Sequence, residues 1–277
     1  MSTPPSASTN PQDAMNLGTY ATDEIARIYA ETPAKLKLAE EAILGRLAPA
    51  LRDVPLLDVG MGGGRTTPHL LTLSRDYLGV DYSPEMVAAC RAKYPDVAFR
   101  QCDARSMEEL GREKFGFVFF SFNGIDSIDH AGRMQVLGQV HALLKPGGRF
   151  LFSSHNLRLA PERPWHPGVY DWSIRPQVIA YNLFCMARNT RNFLRHMGSQ
   201  SQSAGYGVMI DSAHDFRIMN YYVDPAEQVR QLAAHEFVEI EVFDRHGRAC
   251  APDAPELSRT GHVHYLARKP ADPISRK

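Results

Sequence analysis

The chain has 277 residues, 44% of them hydrophobic, and 31 Lys and Arg balance 31 Asp and Glu to give a formal net charge of zero. That length predicts one large domain, or a core with an elaboration, against a typical domain of ~100–200 residues. The neutral balance lacks the basic excess that binds a phosphate backbone, and no apolar run reaches the ~20 residues that cross a bilayer, so nucleic-acid and membrane partners are not expected. In chain order, residues 1–16 are rich in Pro, Ser and Thr, with neither a basic start nor an apolar run. They read as a disordered tail, not a secretory signal. Residues 17–53 read as a helical cover: Ile25, Ile28 and Tyr29, then Leu36, Leu38, Ile43, Leu44 and Leu47, recur near a 3.6 period, with Pro33 between the two runs.

From residue 54 to 156, short apolar runs (PLLDVG, DYLGVD, DVAFRQCD, FGFVFFSF, GGRFLFSSHN) alternate with helical patterns. Such alternation predicts a parallel sheet with helices on both faces. Ser83 before Pro84 reads as a helix N-cap, and LKPGG as a tight turn into the next strand. Residues 157–223 break the alternation with a Pro/Trp-rich loop, a helix over about 177–197 and two strand-like runs, and are expected to form an inserted cap or lid. The core resumes over 224–270 with a helix, FVEIEVFD and a last strand in HVHYLARK. The four cysteines, Cys90, Cys102, Cys185 and Cys250, form no CxxC pair, which favours a reducing cytoplasm over a disulfide scaffold.

Chemistry concentrates in LLDVGMGGGRTTPHL, where a strand ends at Asp58 and a glycine-rich turn leads into a helix. Glycines at such a turn admit φ > 0 and let a ligand approach the backbone beside a helix N-terminus. A dinucleotide fingerprint would need a third glycine where Arg65 stands, which places an NAD-dependent oxidoreductase last. The spacing present is DxGxGxG, with Asp58, Gly60, Gly62 and Gly64. It resembles the first motif of class I S-adenosylmethionine-dependent methyltransferases, and LLKPGGRF resembles a second hallmark of that family. Gly116 departs from the pattern, because many relatives carry an aspartate there.

The resemblance implies a Rossmann-like doubly wound sheet, mostly parallel with a final antiparallel strand, and S-adenosylmethionine as cosubstrate. It places Asp58, Gly60 and Gly62 around the methionine half. Asp81 lies at the ribose hydroxyls, and Asp103 or the adjacent backbone at Ala104 meets the adenine amino group. Tyr82 and Met86 flank the ring, Ser121 and Phe122 lie beside the sulfonium, and Tyr20 and Tyr29 fold over the cofactor or pack the helices. No NPPY-like tetrapeptide follows the fourth strand, where SFNG stands, so a flipped DNA base is not the expected acceptor. The expected substrate is a small molecule.

Asn123, His155 with Asn156, and Tyr206 in the cap are candidate catalytic groups, against a turn asparagine, a structural histidine and a packing ring. His214, Tyr221 and Tyr222 are comparable candidates. Arg188, Arg191 and Arg195 share one helix face, either solvated or clamping a substrate carboxylate. No HxxxH or HExxH spacing occurs, so no metal is expected. Two further readings stay open. One is intramolecular attack within S-adenosylmethionine to give azetidine-2-carboxylate and methylthioadenosine. The other is a non-catalytic nucleoside-binding module.

Overall fold

The computed structural model describes residues 10–20, 22, 28–29, 31–159 and 161–271. The predicted alternation is present as β1 (Leu56–Val59), α3 (Thr67–Leu73), β2 (Tyr77–Asp81), α4 (Pro84–Lys93), β3 (Ala98–Gln101), β4 (Phe115–Phe120), α5 (His130–Leu143) and β5 (Leu144–Asn156). Two helices, α1 (Pro11–Tyr20) and α2 (Leu38–Leu51), precede it. The cap contributes α6 (Pro176–His196), β6 (Ser201–Ser203), β7 (Tyr206–Asp211) and β8 (Ile218–Val223). The chain closes with α7 (Pro225–Ala234), β9 (Val238–Phe243), β10 (Ala249–Cys250) and β11 (His262–Arg268).

The sheet order is β10-β9-β11-β5-β4-β1-β2-β3, with β3, β2, β1, β4 and β5 mutually parallel and β11 antiparallel to both neighbours. Successive side chains on a strand point to opposite faces. Phe117 and Phe119 therefore pack with Ile43, Leu44 and Leu47 of α2, while Val118 and Phe120 pack with Val136, Leu137 and Val140 of α5. Gly116 has a local reason: a Cβ there would lie 2.3 Å from Val54 Cγ1. The LKPGG turn is absorbed into the start of β5, with Gly147 at φ +76° and a register break against β4.

β5 is 13 residues long and outruns its partner. Its last two residues pair instead with β8 (His155↔Tyr222, Asn156↔Val223), and β7 pairs antiparallel with β8. The end of the cap thus continues the sheet at the carboxyl edge of its strands, where parallel sheets bind ligands.

The expected tail needs correction: residues 1–9 and Ile25 lie outside the described residues, but 11–16 form the first part of α1. Its buried side is polar, made of Gln12, Asp13, Asn16 and Thr19, so no apolar period announces it. Asn10 Oδ1 caps it by accepting the Gln12 N–H. Asn16 Nδ2 donates to Met219 O at 2.8 Å and Ser127 O at 3.0 Å, while its Oδ1 accepts the Met219 N–H. Gln12 donates to Asp126 O and Met219 O, and Thr19 to Arg217 O. Side-chain amides thus stitch α1 to the edge of β8. No described helix is long and apolar enough to cross a membrane, and the four cysteines are free thiols.

Asn16→Ala should unfold at lower denaturant, because the buried N–H of Met219 loses its acceptor, at ~1–3 kcal/mol for an unsatisfied group, while Gln12 still serves the Met219 carbonyl. Urea unfolding monitored by circular dichroism checks this; a loss under ~0.5 kcal/mol, the ordinary surface range, would contradict it.

Candidate active site

The glycine turn follows β1. Gly60, Gly62 and Gly64 all have positive φ (62°, 55° and 77°), and a Cβ on Gly60 would strike Phe120 at 2.6 Å. At Gly62 the one neighbour within 4 Å of such a Cβ among the described residues is Tyr29 Cδ1 at 3.8 Å, so that backbone faces open space there. Asp81, at the end of β2 and buried, fixes the turn: its Oδ2 accepts the Gly62 N–H and its Oδ1 the Ser83 N–H, both at 2.9 Å. Burial raises its pKa, against the lowering effect of those N–H groups. An ionised carboxylate has about four acceptor sites, so two remain for ribose hydroxyls.

Asp58 does not line the cavity. It is fully buried beneath the turn, where Oδ2 accepts from Thr66 Oγ1 at 2.7 Å and Tyr77 OH at 3.0 Å. It supports the turn instead of touching a ligand, and burial pushes its pKa up to about 7.

One cavity of about 860 Å³ runs along the carboxyl edge of the sheet, bounded by the glycine turn, α1 and the cap. Gly60, Gly62, Asp81, Tyr82, Met86, Asp103, Ala104, Ser121 and Phe122 all line it. Tyr20 and Tyr29 line it too, in edge contact with each other at 6.1 Å between ring centroids, and Tyr20 also meets His214. Arg105 occupies the Asp103 carboxylate through Nε, NH2 and its backbone N–H, and reaches Asp13 of α1 with NH1. Burial alone would raise the Asp103 pKa, but these bonds hold it below the usual carboxylate value. Asp103 and the adjacent Ala104 both border the cavity.

At the other end of the cavity the chain leaves β4 through two left-handed residues, Phe122 (φ 51°) and Asn123 (φ 57°). The Asn123 N–H is held by Ser153 Oγ at 2.9 Å, the residue borders the cavity, and its buried Oδ1 has no partner among the described residues. The turn continues to Asp126, a residue the sequence analysis does not single out. Asp126 Oδ2 accepts from His155 N at 2.6 Å and lies 2.7 Å from His155 Nδ1; Oδ1 accepts from Arg133 NH1 and Ser154 Oγ, each at 2.6 Å. A carboxylate only accepts, so Nδ1 carries the hydrogen and Nε2 the lone pair in the neutral ring. Asp211 Oδ2 stands 3.8 Å from Nε2 and takes the Tyr222 hydroxyl hydrogen. His262 completes this wall at 4.8 Å from the His155 ring, with its pKa lowered by burial to about 4.

His155, Asn123, His214 and Tyr222 thus border the cavity, but Tyr206 does not. Its ring stacks on His130 (4.1 Å between centroids) and Tyr221 (5.2 Å), which are hydrogen-bonded to each other, because β7 turns this position onto α5. Arg188, Arg191 and Arg195 also lie off the cavity, and Arg188 is paired with Asp215. Asn156 is fully buried and ties the end of β5 to Leu257 O and Thr260 O. An aspartate shortly after Asn–Gly is the one sequence signal that points to Asp126. No group of three potential metal ligands occurs among the described residues.

Residues 56–148 match the model of a methyltransferase domain. A ubiquinone biosynthesis O-methyltransferase of Methylococcus capsulatus is 28% identical over 143 residues, covering 49% of this chain and 55% of that protein. The chain spans about half the length of the curated relatives it matches. An S-adenosylmethionine-dependent methyltransferase from Mesorhizobium loti superposes with a TM-score of 0.56 at 19% identity, over 83% of this chain and 98% of that one. The Burkholderia thailandensis 1,6-didemethyltoxoflavin-N1-methyltransferase, solved with bound 1,6-didemethyltoxoflavin and S-adenosylhomocysteine, superposes with a TM-score of 0.53 at 17% identity, over 98% and 93%. These likenesses give the fold.

Two outcomes follow from the turn. Asp81→Ala should weaken S-adenosylhomocysteine binding roughly tenfold or more by calorimetry, since charge-assisted hydrogen bonds are worth ~1.5–3 kcal/mol; unchanged affinity would remove Asp81 from the site. Asp58, with a folded pKa raised to about 7, holds its proton in the folded state where the unfolded chain has lost it. Its contribution to stability is therefore full below ~4 and falls as pH rises toward 7. Asp58→Asn lacks that loss, so its stability relative to the native chain should climb across that window in urea titrations; a flat or falling difference would contradict it.

Proposed function

We propose that the chain, whose residues 56–148 match a methyltransferase domain, is a class I S-adenosylmethionine-dependent methyltransferase that methylates a protonated oxygen or nitrogen of a small molecule held under the cap. The observation that carries this reading is His155, backed at 2.7 Å by buried Asp126 and bordering the same cavity as the glycine turn. An acceptor without a proton needs no base; a hydroxyl, phenol or ammonium does.

S-adenosylmethionine, when bound, supplies an electrophilic methyl group on a sulfonium. Gly62 offers open backbone to the methionine half, with Gly60 bordering the same cavity, and Asp81 offers free lone pairs to the ribose. Asn123 borders the cavity, and its buried Oδ1, without a partner among the described residues, is an acceptor that can orient an N–H or O–H. His155 Nε2 removes the acceptor proton as the nucleophile attacks in line, and the imidazolium formed lies between Asp126 and Asp211. Asp126 acts as a positioning residue, fixing tautomer and ring. α1 and the cap exclude water, so that holding the partners ~3–3.5 Å apart contributes most of the acceleration. A cavity near 860 Å³ suits a nucleoside together with a second molecule, at the upper end of the ~300–1,000 Å³ common for ligand sites. This favours external methyl transfer over self-alkylation.

His155→Ala should lower turnover by about 10²-fold or more, the usual range for a general base, while S-adenosylhomocysteine affinity changes less than about twofold. Chromatography of reactions with S-adenosylmethionine and a panel of hydroxyl and amine acceptors reads both products. Enzyme-dependent methylthioadenosine without an acceptor would overturn the reading.

A further inference from the structure

Beside the acceptor end of the main cavity lies a second, smaller one of about 240 Å³, which shares Lys37, Phe122 and His262 with it. Its floor is made by two paired strands: Ser153 of β5 stands opposite His264 of β11, and His262 lies on the same face two residues away. Its rim carries Lys37 and Arg245. Apart from Glu40, the polar groups here can donate. Ser153 Oγ already accepts the Asn123 N–H, which leaves its own O–H to give. His264 is 6% exposed, yet its Nδ1 has no hydrogen-bond partner among the described residues. Burial lowers the pKa of that imidazole to about 4, so the ring is neutral and can place its single N–H on Nδ1.

Lys37 lies over the Phe122 ring at 4.6 Å, and Arg245 gives its Nε–H to His246; neither is ion-paired to a carboxylate among the described residues. The one acid present, Glu40, is already neutralised: Arg65 grips both of its oxygens at 2.7 and 2.8 Å, and the Lys37 N–H adds a third bond. Two cations, a free hydroxyl and an orphaned imidazole around one small space match an acceptor-only group.

We infer that this cavity is an anion-recognition subsite that takes a carboxylate or phosphate group, contiguous with the acceptor end of the main cavity through Phe122 and His262. Planar, charge-assisted hydrogen bonds from Arg245 suit either group. The position deepens the proposed methyl transfer, on which this assignment to an acceptor rests. An acceptor anchored here by its acidic end would lie along the wall that carries His155.

The test titrates inorganic phosphate into the full chain labelled with ¹⁵N-histidine, assigning the His264 ring signals by their loss in His264→Gln. Those signals should move saturably, and Arg245→Ala should weaken the binding about fivefold or more, the loss of one charge-assisted contact. Arg245 is exposed and lies off the main cavity, so Arg245→Ala should keep S-adenosylhomocysteine affinity within about twofold. A second arm compares 4-hydroxyphenylacetate with its methyl ester on protein saturated with S-adenosylhomocysteine. A preference for the acid of roughly tenfold that largely disappears in Arg245→Ala assigns the anion to the acceptor. Equal binding of acid and ester, with phosphate still bound, assigns a free anion; either result supports the subsite. Phosphate that leaves the His264 signals unmoved, or moves them equally in Arg245→Ala, overturns it. Intact S-adenosylhomocysteine binding in those same samples would leave the cofactor reading standing.

Discussion

A fully buried ion pair, Asp126 with Arg133, joins the parts of the molecule that must meet at the cavity. Burying two charges costs several kcal/mol per ion unless their remaining sites are filled. Here four donors fill the Asp126 carboxylate: Arg133 NH1, Ser154 Oγ, His155 N and His155 Nδ1. Arg133 in turn gives NH2 to Ser154 and to Gln228 of α7, with its guanidinium 4.6 Å from the Tyr221 ring. The turn after β4, the end of β5, α5, α7 and β8 are thereby referred to one carboxylate. The same carboxylate sets the tautomer of His155, so fold and proposed chemistry depend on a single charge.

Around that pair the cavity is walled by polar recognition. α1 is held by amide-to-backbone bonds to Met219, Asp126 and Ser127, and by the Asp13 to Arg105 ion pair. Such bonds release only ~0.5–1.5 kcal/mol each, but leaving the buried groups unmade costs more. The wall is therefore specific without being deeply apolar. β7 and β8 lie beside it, and the overrun of β5 gives them a strand edge to join.

Much of the core was legible in the sequence because its rules are local. The strand order of acids, Asp58, Asp81 and Asp103, places two carboxylates on the cavity, and Ser83 caps α4 by accepting the Met86 N–H. Where the reading departs, the reason is packing. Asp58 ends a strand as Asp81 does, yet Thr66 and Tyr77 turn it inward. Tyr206 has the composition of a catalytic residue but sits in a stack with His130 and Tyr221. α1 was hidden because its buried face is amide and hydroxyl, which carries no hydrophobic period.

The sequence by itself determined the alternating core, the glycine turn with its need for positive φ, and the acid that braces it, since each follows from residues within one strand-turn-helix unit. Only the tertiary structure decided that Asp126 and His155, 29 positions apart, share a hydrogen bond, and that Asp211, Tyr222 and His262 join them. Those contacts arise where β5 outruns β4 and accepts β8. Which strand extends past its neighbour is fixed by the packing of the whole sheet, not by the local pattern of any one segment.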